Sequence, residues 1–215
     1  MADIAERLRA VLPEGVVLAE AGAAPVLWPG EAVPGAVPAR LAEFSAGRDA
    51  ARRALRALGF AGAAIPMDAD RSPIWPDAVT GSISHCAGAC LAVMAHSRAY
   101  LGLGLDVEPL KALPPDLWPT ILRPEEMLQL AALPAAQHGL QVLRIFVAKE
   151  AAYKAQYAVS RRLFDFQMLR INWQDQGFNA EFCSDVSPFD AGFQIKGDAA
   201  EDADFTAAVC WLPIA

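Results

Sequence analysis

The sequence predicts an α+β (α/β) protein of two similar halves, and three observations carry that prediction. Helical stretches and short strand-like runs alternate through the first 160 residues, and a series of strands follows. An alanine-rich helix recurs, GRDAARRAL and then AKEAAYKA, each followed by β segments that end in a small-apolar strand, CLAVMAH and FTAAVCWL. A break near residue 100 gives segments of nearly equal length, 1–100 and 101–215, each large enough for a small domain.

The elements follow in order. The opening MADIAERLRAVLPEG reads as an amphipathic helix, because Asp3, Glu6, Arg7 and Arg9 interrupt the apolar run that an export signal needs. A cytoplasmic location is expected. Residues 16–39 hold a short strand and a connection punctuated by Pro and Gly. Residues 38–58 read as a helix with Leu41, Phe44, Ala51, Ala54, Leu55 and Leu58 on its apolar stripe and Gly59 as its stop. Gly47 inside that helix costs about 1 kcal/mol against Ala, which is reasonable if another group approaches its backbone closely. Three prolines make residues 63–86 loop and short strand, with GSISHC leading into the next strand. CLAVMAHS and YLGLGLDVE then form a hairpin about HSRA. After LPPDLWP, helices are expected in PEEMLQLAALP and QHGLQVLRIFVAKEAAYKAQY, and strands in MLRINWQ, FNAEFC, GFQIKG and FTAAVCWLP.

Composition narrows the function classes. The chain is 54% hydrophobic, yet no run approaches the roughly 18 apolar residues of a membrane span. A net charge of −7 argues against general nucleic-acid binding. Cys86, Cys90, Cys183 and Cys210 have neither zinc-finger nor C-x-x-C spacing and read as free thiols. Arg outnumbers Lys, and Arg40, Arg48, Arg52, Arg53 and Arg56 cluster, which suits either a solvated helix face or a site for a small polyanion.

Four short motifs could carry chemistry. In GLGLDVEP, strand alternation puts Asp106 and Glu108 on one face and Leu103, Leu105 and Val107 on the other. Two acids there either hydrate as the strand leaves the core or hold a divalent cation. Glu150 and Lys154 are i, i+4 neighbours, so they form either an exposed ion pair or a further metal ligand with a phosphate-binding lysine. Ser82, Ser84 and His85 can donate to phosphate oxygens. Arg71 sits in a stiff loop ahead of two prolines.

The order of these motifs is more telling than any one of them: G-R-x3-R-R, R-S-P-I-W-P, G-S-I-S-H, G-L-G-L-D-V-E, then F-V-A-K-E-A-A-Y-K-A. In that order the chain resembles the 4′-phosphopantetheinyl transferases, and most closely their two-half type that serves siderophore and surfactin synthetases, the enterobactin branch in particular. The similar stretch runs from about Arg40 to Ala155, and the S-H, D-x-E and K-E-x3-K motifs stand about 20 and about 40 residues apart.

The resemblance implies two pseudo-symmetric halves, each a helix on a small antiparallel sheet, meeting near Leu101. Residues 1–100 would contact coenzyme A and residues 101–215 would bind Mg2+. It implies transfer of the phosphopantetheine arm of coenzyme A to a serine of an apo acyl or peptidyl carrier protein, releasing adenosine 3′,5′-bisphosphate. Asp106, Glu108 and Glu150 would hold Mg2+, and Lys154 would sit against the diphosphate. Ser84, His85, Arg48, Arg71 and, by a looser match, Arg40 would contact the coenzyme's phosphates; Arg53 is not carried over. Glu150, or a metal-bound water that it orients, would take the serine proton, with His85 and Lys154 beside it. A monomer is implied, since fused halves remove the need for a trimer. Val147 stands where the family usually has Ser or Ala, three residues before Glu150, and is expected to alter packing near the metal. Leu113, Leu117 and Trp118 are either carrier-facing or core. Two other readings stay open: a non-catalytic coenzyme A-binding relative, and a different Mg2+-dependent phosphoryl or nucleotidyl enzyme, although no Walker loop or kinase signature is present.

Overall fold

A computed structural model describes residues 3–214 of the chain. The helices are α1 (Ile4–Arg9), α2 (Pro38–Ala57), α3 (Trp118–Ile121), α4 (Pro124–Ala131) and α5 (His138–Ser160). The strands are β1 (Val17–Glu20), β2 (Val79–Cys86), β3 (Ala89–His96), β4 (Tyr100–Pro109), β5 (Leu169–Trp173), β6 (Phe178–Phe182), β7 (Gln194–Glu201) and β8 (Phe205–Pro213). They form an antiparallel three-stranded sheet in the order β1-β3-β2 and an antiparallel five-stranded sheet in the order β4-β8-β7-β6-β5. Helix α2 lies on the first sheet and α5 on the second.

The expected helices and strands form, with two differences in how they join. CLAVMAHS and YLGLGLDVE make no hairpin. The turn at Ser97–Ala99 instead hands the chain from the three-stranded sheet to the edge of the five-stranded one. The hairpin is β2–β3, closed by Ala87 and Gly88, where His85 pairs with Cys90, Cys86 with Ala89, and Gly88 takes φ +97°. GSISHC accordingly lies within β2, not ahead of a strand.

Strand β4 meets β2 side by side but without a ladder. The Leu105 amide donates to Ser82 Oγ at 3.0 Å and the Val107 amide to Ser84 Oγ at 3.3 Å. Two hydroxyls on alternate residues of S-x-S thus occupy the place of backbone carbonyls. Below them runs a shared core: Leu103, Leu105 and Val107 of β4 pack with Val209 of β8, Leu91 and Val93 of β3, and Ile4 and Leu8 of α1. The alternation expected of GLGLDVEP is present, with the aliphatic face in this core and the acids on the face toward α5.

Val147 is buried in the core under α5, among Ile121, Leu122, Ala151 and Ile171, so its role there is packing. Leu113 and Trp118 pack partly against the same core, where Trp118 Nε1 donates to the Leu113 carbonyl at 2.9 Å, and Leu117 is exposed.

Two buried ion pairs escaped the sequence reading. Arg52 is fully buried against Glu31 and donates to the Val26 carbonyl at 2.7 Å, so this member of the arginine cluster holds the 26–31 loop onto α2. Lys149, the lysine of A-K-E, has 0% exposure and donates to Glu126 Oε2 at 2.6 Å and to the carbonyls of Ile121 and Phe166. Glu126 in turn accepts from the Arg123 and Ile171 amides. Lys149→Met is expected to cost about 3–5 kcal/mol in urea unfolding, because it strands a buried carboxylate. Adding Glu126→Leu should leave the protein destabilised, since two backbone amides then lose their acceptor.

Candidate active site

The site begins with two glycines. Gly102 and Gly104 share the face of β4 that carries Asp106 and Glu108. A Cβ on Gly104 would lie 1.7 Å from the Ala151 carbonyl oxygen, and one on Gly102 would lie 2.3 Å from that of Ala155. Glycine on the strand and alanine on the helix let α5 rest almost directly on the β4 backbone. This close approach brings Lys154 to the strand.

Lys154 Nζ donates to Asp106 Oδ1 at 2.6 Å, to the Leu105 carbonyl at 2.9 Å and to Ser84 Oγ at 3.3 Å. Of the two readings of Glu150 and Lys154, the exposed i, i+4 ion pair is not seen among the described residues; the lysine instead pairs with Asp106 on β4. Ser84 Oγ donates to Asp106 Oδ1 at 2.9 Å. The structure therefore brings Ser84, Asp106 and Lys154 into one network, with Ser84 turned to the carboxylate and away from the adjoining cavity.

Asp106 is buried, and its second oxygen, Oδ2, has no hydrogen-bond partner. Burial raises the Glu150 carboxyl above its usual range; Lys154 opposes this and Asp106 adds to it. Burial likewise raises Glu108, reinforced by Asp106 and Glu150 and opposed by Lys154. The three acids thus feel one another. Among the described residues, however, no three His, Cys, Asp or Glu side chains converge tightly enough to grip an ion as they stand. The orphaned Asp106 Oδ2 and an all-carboxylate donor set fit Mg2+ chemistry, in which one or two protein carboxylates are commonly joined by substrate phosphate.

Beside the acids lies a cavity of about 450 Å3, between α2 and β2 on one side and the C-terminal half of α5 on the other. Arg40, Arg48, Arg71, His85 and Lys154 all line it, so five of the six residues expected to meet phosphate share one space. Arg48 is buried; its Nε donates to the Ile65 carbonyl at 2.8 Å, and its guanidinium lies 4.0 Å from the centre of the Phe44 ring. Burial pushes its pKa down to about 10, with Arg40 and Arg52 adding and Glu31 opposing, and Nη2 has no partner. Arg40 Nη1 lies 3.2 Å from His85 Nε2. A guanidinium only donates, so a hydrogen bond here requires Nε2 as the acceptor, which is the neutral imidazole. Burial lowers the His85 pKa in the same sense. Gly47 also lines this wall, and a Cβ there would stand 3.0 Å from the Ile83 side chain, a tight contact that Ile83 would have to ease.

Tyr153 and Tyr157, one turn apart on α5, and Arg161 at its cap also line the cavity and were not anticipated. Projecting the helix from Lys154 would have found them, since 153, 157 and 161 form the adjacent i, i+4 row. The Tyr153 and Tyr157 rings stack with centroids 5.9 Å apart. A smaller cavity of about 130 Å3 adjoins Glu150, Tyr153, Phe164 and Phe166.

A family model described as the 4′-phosphopantetheinyl transferase superfamily matches residues 102–210, and one for the 4′-phosphopantetheinyl transferase N-terminal domain matches residues 28–95. The chain belongs to the 4′-phosphopantetheinyl transferase superfamily. It is similar to 4′-phosphopantetheinyl transferase PptT of Mycobacterium tuberculosis, 35% identical over 147 residues that cover 67% of this chain and 64% of that one. It is also similar to enterobactin synthase component D of Salmonella typhi, 41% identical over 121 residues that cover 54% and 48%. The matched stretch thus spans less than two thirds of either relative. The crystal structure of Thermotoga maritima holo-[acyl-carrier-protein] synthase aligns with a TM-score of 0.42 at 18% identity, covering 53% of this chain and 63% of that one. The family resemblance read from the motifs is borne out, and its enterobactin branch is represented among the relatives. No helix among the described residues is long and apolar enough to cross a membrane.

Proposed function

We propose that this phosphopantetheinyl transferase-family chain moves the phosphopantetheine arm of coenzyme A onto a serine of an apo acyl or peptidyl carrier protein. The observation that carries the reading is the double placement of Lys154. It lines the cation-rich cavity and at the same time binds Asp106, whose other oxygen is buried and unpartnered.

In this reading the cavity takes the nucleotide end of coenzyme A. Arg40, Arg48, Arg71 and His85 bind its phosphates, and Lys154 leans toward the diphosphate. Residues 1–100 supply most of the phosphate contacts and residues 101–215 the acids. Asp106, Glu108 and Glu150 would hold Mg2+, which supplies charge neutralisation on the diphosphate when bound. The serine oxygen forms a bond to the phosphorus that carries pantetheine. The bond from that phosphorus to the bridging oxygen breaks, and adenosine 3′,5′-bisphosphate leaves. Glu150, or a metal-bound water that it orients, would accept the serine proton. Ser84 acts from behind by orienting Asp106, in place of the direct phosphate contact first expected of it. The chain works as a monomer in the cytoplasm, where coenzyme A is made available and thiols stay reduced.

The test is to incubate the chain with coenzyme A, Mg2+ and a panel of apo carrier proteins and to weigh the carriers. At least one carrier should gain the mass of the arm, and none should gain it in EDTA. Coenzyme A binding that needs no Mg2+, without transfer to any carrier, would instead identify a non-catalytic relative.

A further inference from the structure

The loop that carries Arg71 lines the cavity and is tied to the end of α5 through Asp70 and Ser72. Residues 68–72 make a tight turn: the Arg71 amide donates to the Asp68 carbonyl at 3.0 Å, the Asp68 amide donates to the Ser72 carbonyl at 2.8 Å, and Met67 bridges Pro73. Arg71 takes φ +71°, a left-handed conformation that a non-glycine residue keeps only when its surroundings impose it. Asp70 Oδ1 reinforces the turn by accepting from the Ser72 amide at 2.9 Å and the Ser72 hydroxyl at 2.6 Å. Asp70 Oδ2 faces the other way. It accepts from the Tyr157 hydroxyl at 2.7 Å and from Arg161 Nη1 at 3.3 Å, while the same Arg161 nitrogen donates to Ser72 Oγ at 3.1 Å. Tyr157 and Arg161 stand on the last turn and the left-handed cap of α5, on the far side of the cavity from α2.

One oxygen shapes the turn and the other ties it to α5. Hydrogen bonds from Ser72 and Tyr157 hold the Asp70 carboxyl well below the usual range, so it remains an acceptor throughout the neutral range. Arg71 itself is exposed, makes no ion pair among the described residues, and lines the cavity along with Arg40 and Arg48.

We propose that Asp70 is a positioning residue for ligand binding: it clasps the 68–73 turn to Tyr157 and Arg161 and so holds Arg71 over the cavity to meet a phosphorylated ligand. The inference rests on the reading of this cavity as the coenzyme A site. Without the clasp, Arg71 must be ordered by the ligand at each binding event, and that cost appears in affinity.

The test is calorimetric titration of coenzyme A into the full chain as wild type, Asp70→Asn, Arg71→Ala and the double variant, together with steady-state transfer. Asp70→Asn should weaken binding about fivefold to tenfold, in the range of a lost charge-assisted contact. It should raise KM for coenzyme A by a similar factor, with kcat within about twofold and an unchanged melting temperature, since the turn is exposed. The double variant should bind no more weakly than Arg71→Ala alone, because Asp70 acts only through Arg71. Wild-type affinity in Asp70→Asn, or losses that multiply in the double variant, would overturn the inference and leave the proposed function standing. A wild-type chain that does not bind coenzyme A would overturn both.

Discussion

Gly104→Ala is expected to abolish folding, or to leave a protein destabilised by more than about 3 kcal/mol. The added methyl would stand 1.7 Å from the Ala151 carbonyl and 2.7 Å from the Ala155 amide nitrogen, both backbone groups of a buried helix that cannot rotate aside. Overpacking against side chains costs about 1–3 kcal/mol because they can shift rotamer. Here the only relief is to lift α5 off β4. That movement would also separate Lys154 from Asp106 and the Leu105 carbonyl, so any folded fraction should be inactive. Soluble yield, urea unfolding and transfer rate together check the expectation. Gly35→Ala is the control. Its φ is +72°, but nothing lies within 4 Å of the new methyl, so it should cost about 1–2 kcal/mol and leave activity intact.

Asp106→Ala should have the opposite profile, with transfer lowered at least about a thousandfold, or about 4 kcal/mol of transition-state stabilisation, and little change in stability. The carboxylate is proposed both to hold Mg2+ and to seat Lys154, so its loss removes two charges' worth of organisation at once. Its contribution to folding is small for a reason visible in the structure. One of its oxygens is buried without a partner, an arrangement that itself costs about 1–3 kcal/mol. Lys154 is 29% exposed and can turn to water when its partner is gone. Urea unfolding of the variant should stay within about 1 kcal/mol of wild type. A stable Asp106→Ala protein with near-normal transfer would remove Asp106 from the proposed chemistry.

Local pattern made the elements legible. Alternation in GLGLDVEP gave the face of the acids, and the apolar spacing of residues 38–58 gave α2. Connectivity was harder. The HSRA turn looks like a hairpin turn because nothing in four residues tells whether the flanking strands pair with each other or with more distant partners. The arginine cluster shows the same limit within one helix. Arg40 and Arg48 face the cavity, Arg52 is sealed against Glu31, and Arg53 is exposed and pairs with Asp49. A charge carries no label for its partner when that partner lies 21 residues away, as Glu31 does from Arg52. Lys149 and Lys154 are separated by five residues on one helix, yet one is wholly interior and structural while the other reaches the cavity. The motif order named residues that come together around the cavity, but not that Ser84 turns inward to Asp106, nor that Tyr157 and Arg161 join the wall.

The hydroxyl seam between β2 and β4 has a mechanical consequence. A backbone ladder locks two strands in steps of two residues, so adjacent sheets joined by one move as a single plate. Ser82 and Ser84 reach the β4 amides through rotatable side chains, which can keep their bonds while the strands change angle slightly. The cavity lies across this seam, between α2 on one plate and α5 on the other. Ser84 is thus shared between the two sheets and the acids, since it accepts from the Val107 amide and donates to Asp106.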